Sequence, residues 1–122
     1  MDKKIICIDF DGTCVSHVIN YSTEIGKDIG AQSVLKEMTK NGHKLILHTV
    51  RQGRELKSAV NWFNKNKVPL YFVWEHEGKP YADLYIDDRA LGAPTIHPDN
   101  ERDPIIDWIR VKELLQQQGI LN

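Results

Sequence analysis

Two aspartates follow a short apolar run near the start of the chain, and this arrangement constrains the fold more than any other feature. The run is Ile5–Ile8, and it is followed by Asp9, Asp11 and Gly12. Consecutive apolar residues of this kind predict a strand that is buried in a parallel sheet. Ligands bind beyond the carboxyl ends of such strands. Carboxylates this close repel each other unless a cation lies between them, so a divalent metal is expected here.

Apolar strands alternate with amphipathic helices along the rest of the chain. The spacing predicts strands at 4–9, 43–49, 69–73 and 83–87, and helices at 31–41, 53–66 and 103–118. Asp103-Pro104 provides an N-cap acid and a first-turn proline for the last helix. This order predicts an α/β, three-layer, Rossmann-like fold with a central, mainly parallel sheet flanked by helices. Only residues 74–82 connect the last two strands, which is just enough for an extended return along a short strand.

Length and charge favour one soluble domain over residues 1–122. The chain is 41% hydrophobic and 27% charged, and its net charge is −1. That balance gives no electrostatic footprint for nucleic acid. We also expect no membrane contact and a cytoplasmic location, because the sequence has no membrane-length apolar run and no signal-peptide pattern. Cys7 and Cys14 are expected to be structural thiols rather than a disulfide.

A parallel sheet would bring several polar side chains to one edge. The strand ends carry Asp9 with Asp11, Thr49, and the pair Asp87-Asp88, and a loop over that edge would carry Lys79. Carboxylates are hard ligands that suit Mg²⁺, and a hydroxyl and a lysine can hold phosphate oxygens. The sequence therefore predicts magnesium-assisted chemistry on a phosphorylated substrate.

These residues resemble the four motifs of the haloacid dehalogenase (HAD) superfamily, most of whose members are phosphotransferases. The motifs correspond to the segment from Asp9 to Thr13, then Thr49, then Lys79, then Asp87-Asp88, in the family's order. The match extends over residues 4–88. Segments 14–30 and 74–82 are too short for the cap domain that many relatives insert, so the chain resembles a capless member with an open site.

The resemblance implies a role for each motif residue. Asp9 would be the nucleophile that forms an aspartyl-phosphate, and Asp11 the general acid and base. Gly12 would leave space and backbone freedom behind the acids, with nearby amides facing the phosphoryl group of the substrate. Thr49 would bind a phosphoryl oxygen, and Lys79 would neutralise charge on Asp9 and the phosphate.

The resemblance also implies a magnesium site. Mg²⁺ would be held by the Asp9 carboxylate, the Asp11 backbone carbonyl and one acid of the pair Asp87 and Asp88, with Asp88 preferred. The other acid would orient Lys79 or a water molecule. Arg51 follows a strand end at the same edge, where it would either bind a second anionic group of the substrate or form a surface ion pair.

The sequence thus predicts a Mg²⁺-dependent phosphatase whose phosphorylated substrate is a small molecule or a macromolecule. Local similarity of residues 79–89 to the 5′-deoxyribonucleotidase branch points towards nucleotides, and a neighbouring subunit of a homo-oligomer is one way to close the open site. The alternatives are a non-enzymatic phospho-acceptor with the same Asp and Mg²⁺ pocket, a binding protein that has lost turnover, and a dehalogenase. The acid at Asp11 disfavours a receiver-like phospho-acceptor and a dehalogenase, which lack an acid at that position.

Overall fold

Four short parallel strands form the centre of the molecule. The computed structural model describes residues 2–19, 23–99 and 101–122. The strands are β1 (Ile5–Ile8), β2 (Lys44–Leu47), β3 (Phe72–Val73) and β4 (Leu84–Ile86). They pair in the order β3-β2-β1-β4, and every pairing in this sheet is parallel. The α/β class and the mainly parallel sheet flanked by helices are confirmed, and no cap domain is evident in the described residues.

Three helices bury one face of this sheet. They are α1 (Ala31–Lys40), α2 (Gly53–Lys65) and α3 (Trp108–Gln117). Each contributes residues to a buried cluster that also contains Ile6, Ile8, Leu45 and Leu47 from the two central strands. Because side chains alternate between the faces of a strand, these four residues define the helix-covered face.

The three-layer prediction placed helices on both faces of the sheet, but an extended segment covers the other face instead. The parallel register places Cys7 between Ile46 and Tyr85 there, with Phe72 beyond Ile46. The segment 74–83 crosses this row, because the His76 ring stacks on Phe72 and the Tyr85 hydroxyl donates to the Pro80 carbonyl. The sheet order explains why no helix forms here. The segment must cross three strand spacings, about 14 Å, and return along the sheet within a reach of roughly 33 Å.

The last helix begins later than the sequence predicts. It starts at Trp108 instead of Asp103-Pro104, and its N-cap is Asp107, whose side chain accepts from the backbone N–H groups of Ile109 and Arg110. The residues before it form β6 (Ile105–Ile106), which pairs antiparallel with β5 (Thr95–Ile96). Ile105 and Ile106 therefore belong to a strand instead of the predicted helix. A second N-cap residue, Asp107, follows shortly after the predicted one, Asp103.

The start of α3 is tied to the loop that follows β1. The Trp108 indole Nε1 donates to the Thr13 carbonyl oxygen at 2.7 Å, in a buried contact. The Ile106 backbone N–H donates to the Gly12 carbonyl oxygen at 2.9 Å. These bonds fix the acidic loop to the start of α3. Among the described residues, no helix has the length and apolar character needed to cross a membrane.

Replacing Trp108 by Phe should destabilise the fold by about 1–3 kcal/mol, because it leaves the buried Thr13 carbonyl without its donor. Urea unfolding would measure the loss. The matched control is Ile109→Ala in the same turn, since Ile109 is 79% exposed. Equal urea midpoints for Trp108→Phe and the wild type would contradict the proposed anchoring.

Candidate active site at the carboxyl edge of the sheet

The carboxyl ends of β1, β2 and β4 meet at one edge of the sheet. The backbone N–H of Asp9 donates to the Ile86 carbonyl at 3.1 Å, and that of His48 donates to the Ile8 carbonyl at 3.0 Å. The parallel ladder therefore continues one residue beyond the strands. As a result, Asp9, His48 and Asp87 leave the sheet side by side, as the sequence predicts.

Three carboxylates form a cluster at this edge. Asp9, Asp87 and Asp88 are each half-buried, and one carboxylate oxygen from each lies within 4.8 Å of the others. Three negative charges at this separation are unfavourable without a compensating cation. Hard oxygen donors in this number suit a divalent cation such as Mg²⁺. The residues present therefore fit the predicted metal.

The cluster raises the pKa of the Asp9 carboxyl to about 8. Burial is the largest cause, followed by the hydrogen bond with Asp88 and the negative charges of Asp87 and Asp88. The metal-free site therefore favours a protonated Asp9 near neutral pH. A cation would replace that proton, because it removes the repulsion that holds the proton in place.

The hydroxyl of Thr13 joins two of the acids. Its Oγ1 lies 3.1 Å from Asp9 Oδ2 and 3.0 Å from Asp88 Oδ1, and it accepts the Asp88 backbone N–H at 3.1 Å. A hydroxyl has one proton, so it can donate to only one carboxylate at a time. Thr13 is fully buried and thus fixes the spacing between the acid from β1 and the acid from β4.

Gly12 is required by packing. Its φ is +80°, and a Cβ there would overlap the His17 ring and the Asp88 carboxylate. Its backbone N–H donates to the Val15 carbonyl at 2.8 Å. The predicted substrate-binding role of Gly12 is therefore not what the geometry shows, because its N–H already has an acceptor and neighbouring side chains fill the space beside it.

Asp11 does not join the cluster and instead forms a buried ion pair with Arg51. Arg51 Nε donates to Asp11 Oδ2 and Arg51 Nη2 to Asp11 Oδ1, both at 2.8 Å. Both side chains are almost completely buried. The Asp11 carboxylate, predicted to be the general acid and base, is thus held by a guanidinium that also contacts Glu55 and Ser58 of α2.

Arg51 is fully engaged by this environment. Its remaining N–H groups reach the carbonyl oxygens of Glu24 and Glu55 and the hydroxyl of Ser58. Together with the two bonds to Asp11, these contacts use all the donors of a guanidinium. Arg51 was predicted to bind substrate or to form a surface ion pair. The ion pair that it forms is with Asp11 and is buried rather than at the surface. Arg51 also lines the cleft that contains Thr49, so its substrate-binding role stays a prediction.

Lys79 shares a cleft with two of the acids. The cleft has a volume of about 460 Å³, and its lining includes Asp9, His48, Lys79, Asp87 and Arg89. The Lys79 ammonium lies 4.1 Å from the centre of the Tyr85 ring. This cation–π contact holds the exposed lysine over the sheet edge, where the sequence predicts it.

Thr49 lies in a neighbouring cleft of about 520 Å³ with Gln52, Trp74, Glu75 and His76. Its Oγ1 accepts the Arg51 backbone N–H at 3.2 Å. His48 lines both clefts and marks the boundary between them. Thr49 is therefore brought to the same sheet edge as Asp9, on the side nearer to β3.

The two thiols close to the acids are held in the neutral form. Burial, with the charges of Asp87 and Asp9, raises the pKa of Cys7 to about 11. Burial, with the charges of Asp9 and Asp11, raises the pKa of Cys14 well above its ordinary value. The Cys14 thiol lies 3.3 Å from the Asp9 carbonyl oxygen. Neutral thiols are poor nucleophiles and poor metal ligands, so the site presents carboxylate rather than thiolate chemistry.

Sequence reasoning assigned no role to Thr13 or His17. The bridging position of Thr13 depends on Asp88, which is 75 residues away. His17 Nε2 lies 3.3 Å from Asp88 Oδ2 and 3.0 Å from the Pro104 carbonyl oxygen. The adjacency of Thr13 to the acidic motif is a sequence signal, but no spacing in the chain indicates the position of His17.

Comparison with known proteins finds a solved structure that is similar to this chain. No protein-family model matches the chain, and no curated protein matches it. A conserved protein from Bacteroides thetaiotaomicron is 32% identical, with a TM-score of 0.75 over 96% of this chain and 93% of the other. The chain belongs to the same family as this Bacteroides protein. The two proteins share their fold over nearly the full length of both chains.

Within this family fold, the buried pair of Arg51 and Asp11 should be a major source of stability. Arg51→Met would leave Asp11 as an uncompensated buried charge and should lower the free energy of unfolding by about 3–5 kcal/mol. Denaturant unfolding measures this loss, and Arg54→Met, at an exposed arginine of the first turn of α2, is the control. If Arg51→Met and Arg54→Met unfold at the same denaturant concentration, the pair does not have this role.

The raised pKa of Asp9 should make the metal-free protein lose stability as pH rises. Its carboxyl is protonated in the native state up to about pH 8 but has an ordinary pKa of 3.8 when unfolded. The stabilising contribution is therefore fully present below about pH 3.8 and is lost progressively up to about pH 8. Asp9→Asn lacks this titration.

In EDTA, the Tm of Asp9→Asn should match that of the wild type near the acid end of this range and exceed it by roughly 5 °C or more at the alkaline end. Mg²⁺ should reverse this order by binding the wild-type acids. Asp2→Asn, at the opposite end of β1, is the control and should follow the wild type. A constant Tm difference across the pH range would show that Asp9 titrates normally.

Proposed function

We propose that the protein is a Mg²⁺-dependent phosphomonoesterase of the HAD type that acts through an aspartyl-phosphate on Asp9. The observation that carries this proposal is the cluster of Asp9, Asp87 and Asp88 at the carboxyl edge of the sheet. Lys79 lies in the same cleft as Asp9 and Asp87 and supplies a positive charge for a phosphoryl group. The motif order that resembles the HAD superfamily supports the same assignment.

In this proposal, Asp9 and Asp88 would hold the metal together with the Asp11 backbone carbonyl. Thr13 contacts a carboxylate oxygen of both Asp9 and Asp88, which favours them as the pair of carboxylate ligands. Asp87 then faces Lys79 across their shared cleft and orients its ammonium group. Bound Mg²⁺ would neutralise the acids and polarise the phosphoryl oxygens.

Asp9 supplies the nucleophile. An oxygen of its carboxylate attacks phosphorus, the bond from phosphorus to the ester oxygen breaks, and the leaving oxygen takes a proton. Water then attacks the phosphorus of the aspartyl-phosphate, which releases inorganic phosphate and restores the Asp9 carboxylate. Lys79 and the Thr49 hydroxyl hold the transferred phosphoryl oxygens during both steps.

Asp11 has the role of general acid and base, and Arg51 positions it. Both carboxylate oxygens of Asp11 accept hydrogen bonds from Arg51. Asp11 must therefore give up one of these bonds before it can carry a proton to the leaving oxygen. In the geometry observed, Arg51 occupies both oxygens of this acid.

That same geometry favours one alternative, a phospho-acceptor that turns over slowly. If Asp11 stays paired with Arg51, no acid is available to activate water against the aspartyl-phosphate. The phosphorylated Asp9 would then persist instead of being hydrolysed.

We also propose a cytoplasmic location, because Cys7 and Cys14 are both free thiols, which are common in reducing compartments.

Hydrolysis of p-nitrophenyl phosphate tests the proposal. The wild type should turn it over with Mg²⁺ and lose activity in EDTA. Asp9→Asn should lower kcat by roughly 10³-fold or more, because the nucleophile is removed. Asp2→Asn is the matched control and should keep full activity.

Beryllofluoride separates the alternatives if hydrolysis is absent. A phospho-acceptor should bind it with Mg²⁺ at Asp9, which would raise the Tm of the wild type but not of Asp9→Asn. If the wild type shows neither hydrolysis nor this stabilisation, phosphoryl chemistry at Asp9 is refuted.

A further inference from the structure

We infer that the cleft beside Thr49 binds the leaving group of the substrate, and that this group is a planar, nitrogen-containing aromatic ring. This inference rests on the proposed function and names the substrate class for it. The cleft has about 520 Å³ and adjoins the cleft of Asp9 and Lys79, since His48 lines both. A phosphomonoester with its phosphoryl group at Asp9 would therefore extend past His48 into this second cleft.

One wall of the second cleft is aromatic. Trp74 and His76 line it, and their rings meet edge to face at a centroid distance of 5.3 Å. The Trp74 indole Nε1 donates to the Gly78 carbonyl at 3.2 Å, and the His76 ring stacks on Phe72 at 6.3 Å. These contacts fix both rings before any ligand arrives, which lowers the entropy lost on binding.

These aromatic rings lie outside the main hydrophobic core. The main hydrophobic cluster of the described residues does not include Trp74 or Phe72, and Phe72 is 44% exposed. Phe72 belongs to β3, and Trp74 and His76 belong to the segment that crosses the open face of the sheet. Partly exposed, prearranged aromatic rings beside a polar cleft are typical of sites that stack planar ligands.

Gln52 and Glu75 also line this cleft, and their side chains form a polar wall. This polar wall selects for a heteroaromatic ring over a hydrocarbon ring. Glu75 is exposed and offers a carboxylate that accepts hydrogen bonds, which suits ring substituents that donate them. An amino-substituted base has such donors at its edge, whereas a phenyl ring has none and a glycerol moiety cannot stack.

Binding measurements with three phosphomonoesters test this inference. The ligands are adenosine 5′-monophosphate, phenyl phosphate and glycerol 3-phosphate, with Mg²⁺, and calorimetry is done on Asp9→Asn so that no ligand is consumed. We expect affinity to fall in that order. Trp74→Leu in this background should weaken adenosine monophosphate by about 10- to 100-fold and leave glycerol 3-phosphate unchanged.

Tyr81→Leu is the matched control, because Tyr81 is an exposed aromatic residue of the same crossing segment that lines neither cleft. It should bind all three ligands like its parent. Tryptophan fluorescence of this parent gives a second readout. Trp62 and Trp108 are only 7% and 4% exposed, so quenching by adenosine monophosphate would report on Trp74.

Different results overturn the subsite and the proposed function. If Trp74→Leu binds adenosine monophosphate as tightly as its parent, or weakens glycerol 3-phosphate equally, the aromatic subsite is wrong. If phenyl phosphate binds as tightly as adenosine monophosphate, the polar wall does not select a heteroaromatic ring. If no phosphomonoester binds and the wild type hydrolyses none of them, the proposed function fails together with the subsite.

Discussion

Repulsion among the carboxylates of Asp9, Asp87 and Asp88 is the constraint around which the carboxyl edge of this sheet is organised. The parallel pairing of β1 with β4 forces these acids together, because the strands end side by side. The fold tolerates the cluster through a buried hydroxyl, a glycine that leaves room for His17, and a raised pKa on Asp9. Each device lowers the energy of the crowded acids without removing their capacity to bind a cation. An apolar residue in place of one acid would stabilise the fold more, so stability alone does not explain the cluster.

The ion pair of Arg51 and Asp11 connects separate segments of the chain and is not part of the acid cluster. Asp11 lies two residues after Asp9, so its side chain leaves on the same side of an extended chain. In the structure, however, Asp11 is paired with Arg51 and is not part of the cluster. Arg51 links it to the carbonyl oxygens of Glu24 and Glu55. A single buried guanidinium thus joins the loop after β1, the segment near Glu24 and the first turn of α2.

Much of the fold and part of the site could be predicted from local patterns. The apolar runs identify the four strands of the sheet, and the parallel arrangement brings Asp9, Thr49 and Asp87 to one edge. The partners of Arg51 could not be predicted, because the local sequence does not distinguish an arginine that faces solvent from one that faces the interior. The start of α3 was wrong for a similar reason. Asp103-Pro104 and Asp107-Trp108 are both credible helix starts, and only the pairing of Ile106 with Thr95 decides between them.

The length of the connection between β3 and β4 links the architecture to the proposed chemistry. A helix in this crossover would have covered the sheet face that carries Cys7, Ile46 and Tyr85. With only residues 74–83 available, the chain crosses extended, and backbone contacts with Tyr85 hold it in place. An extended crossing presents its side chains directly at the carboxyl edge, so one segment supplies both Lys79 and the aromatic wall of Trp74 and His76. The short extended crossing therefore brings Lys79, the proposed phosphate-binding cation, within a few residues of Trp74 and His76, the proposed specificity surface.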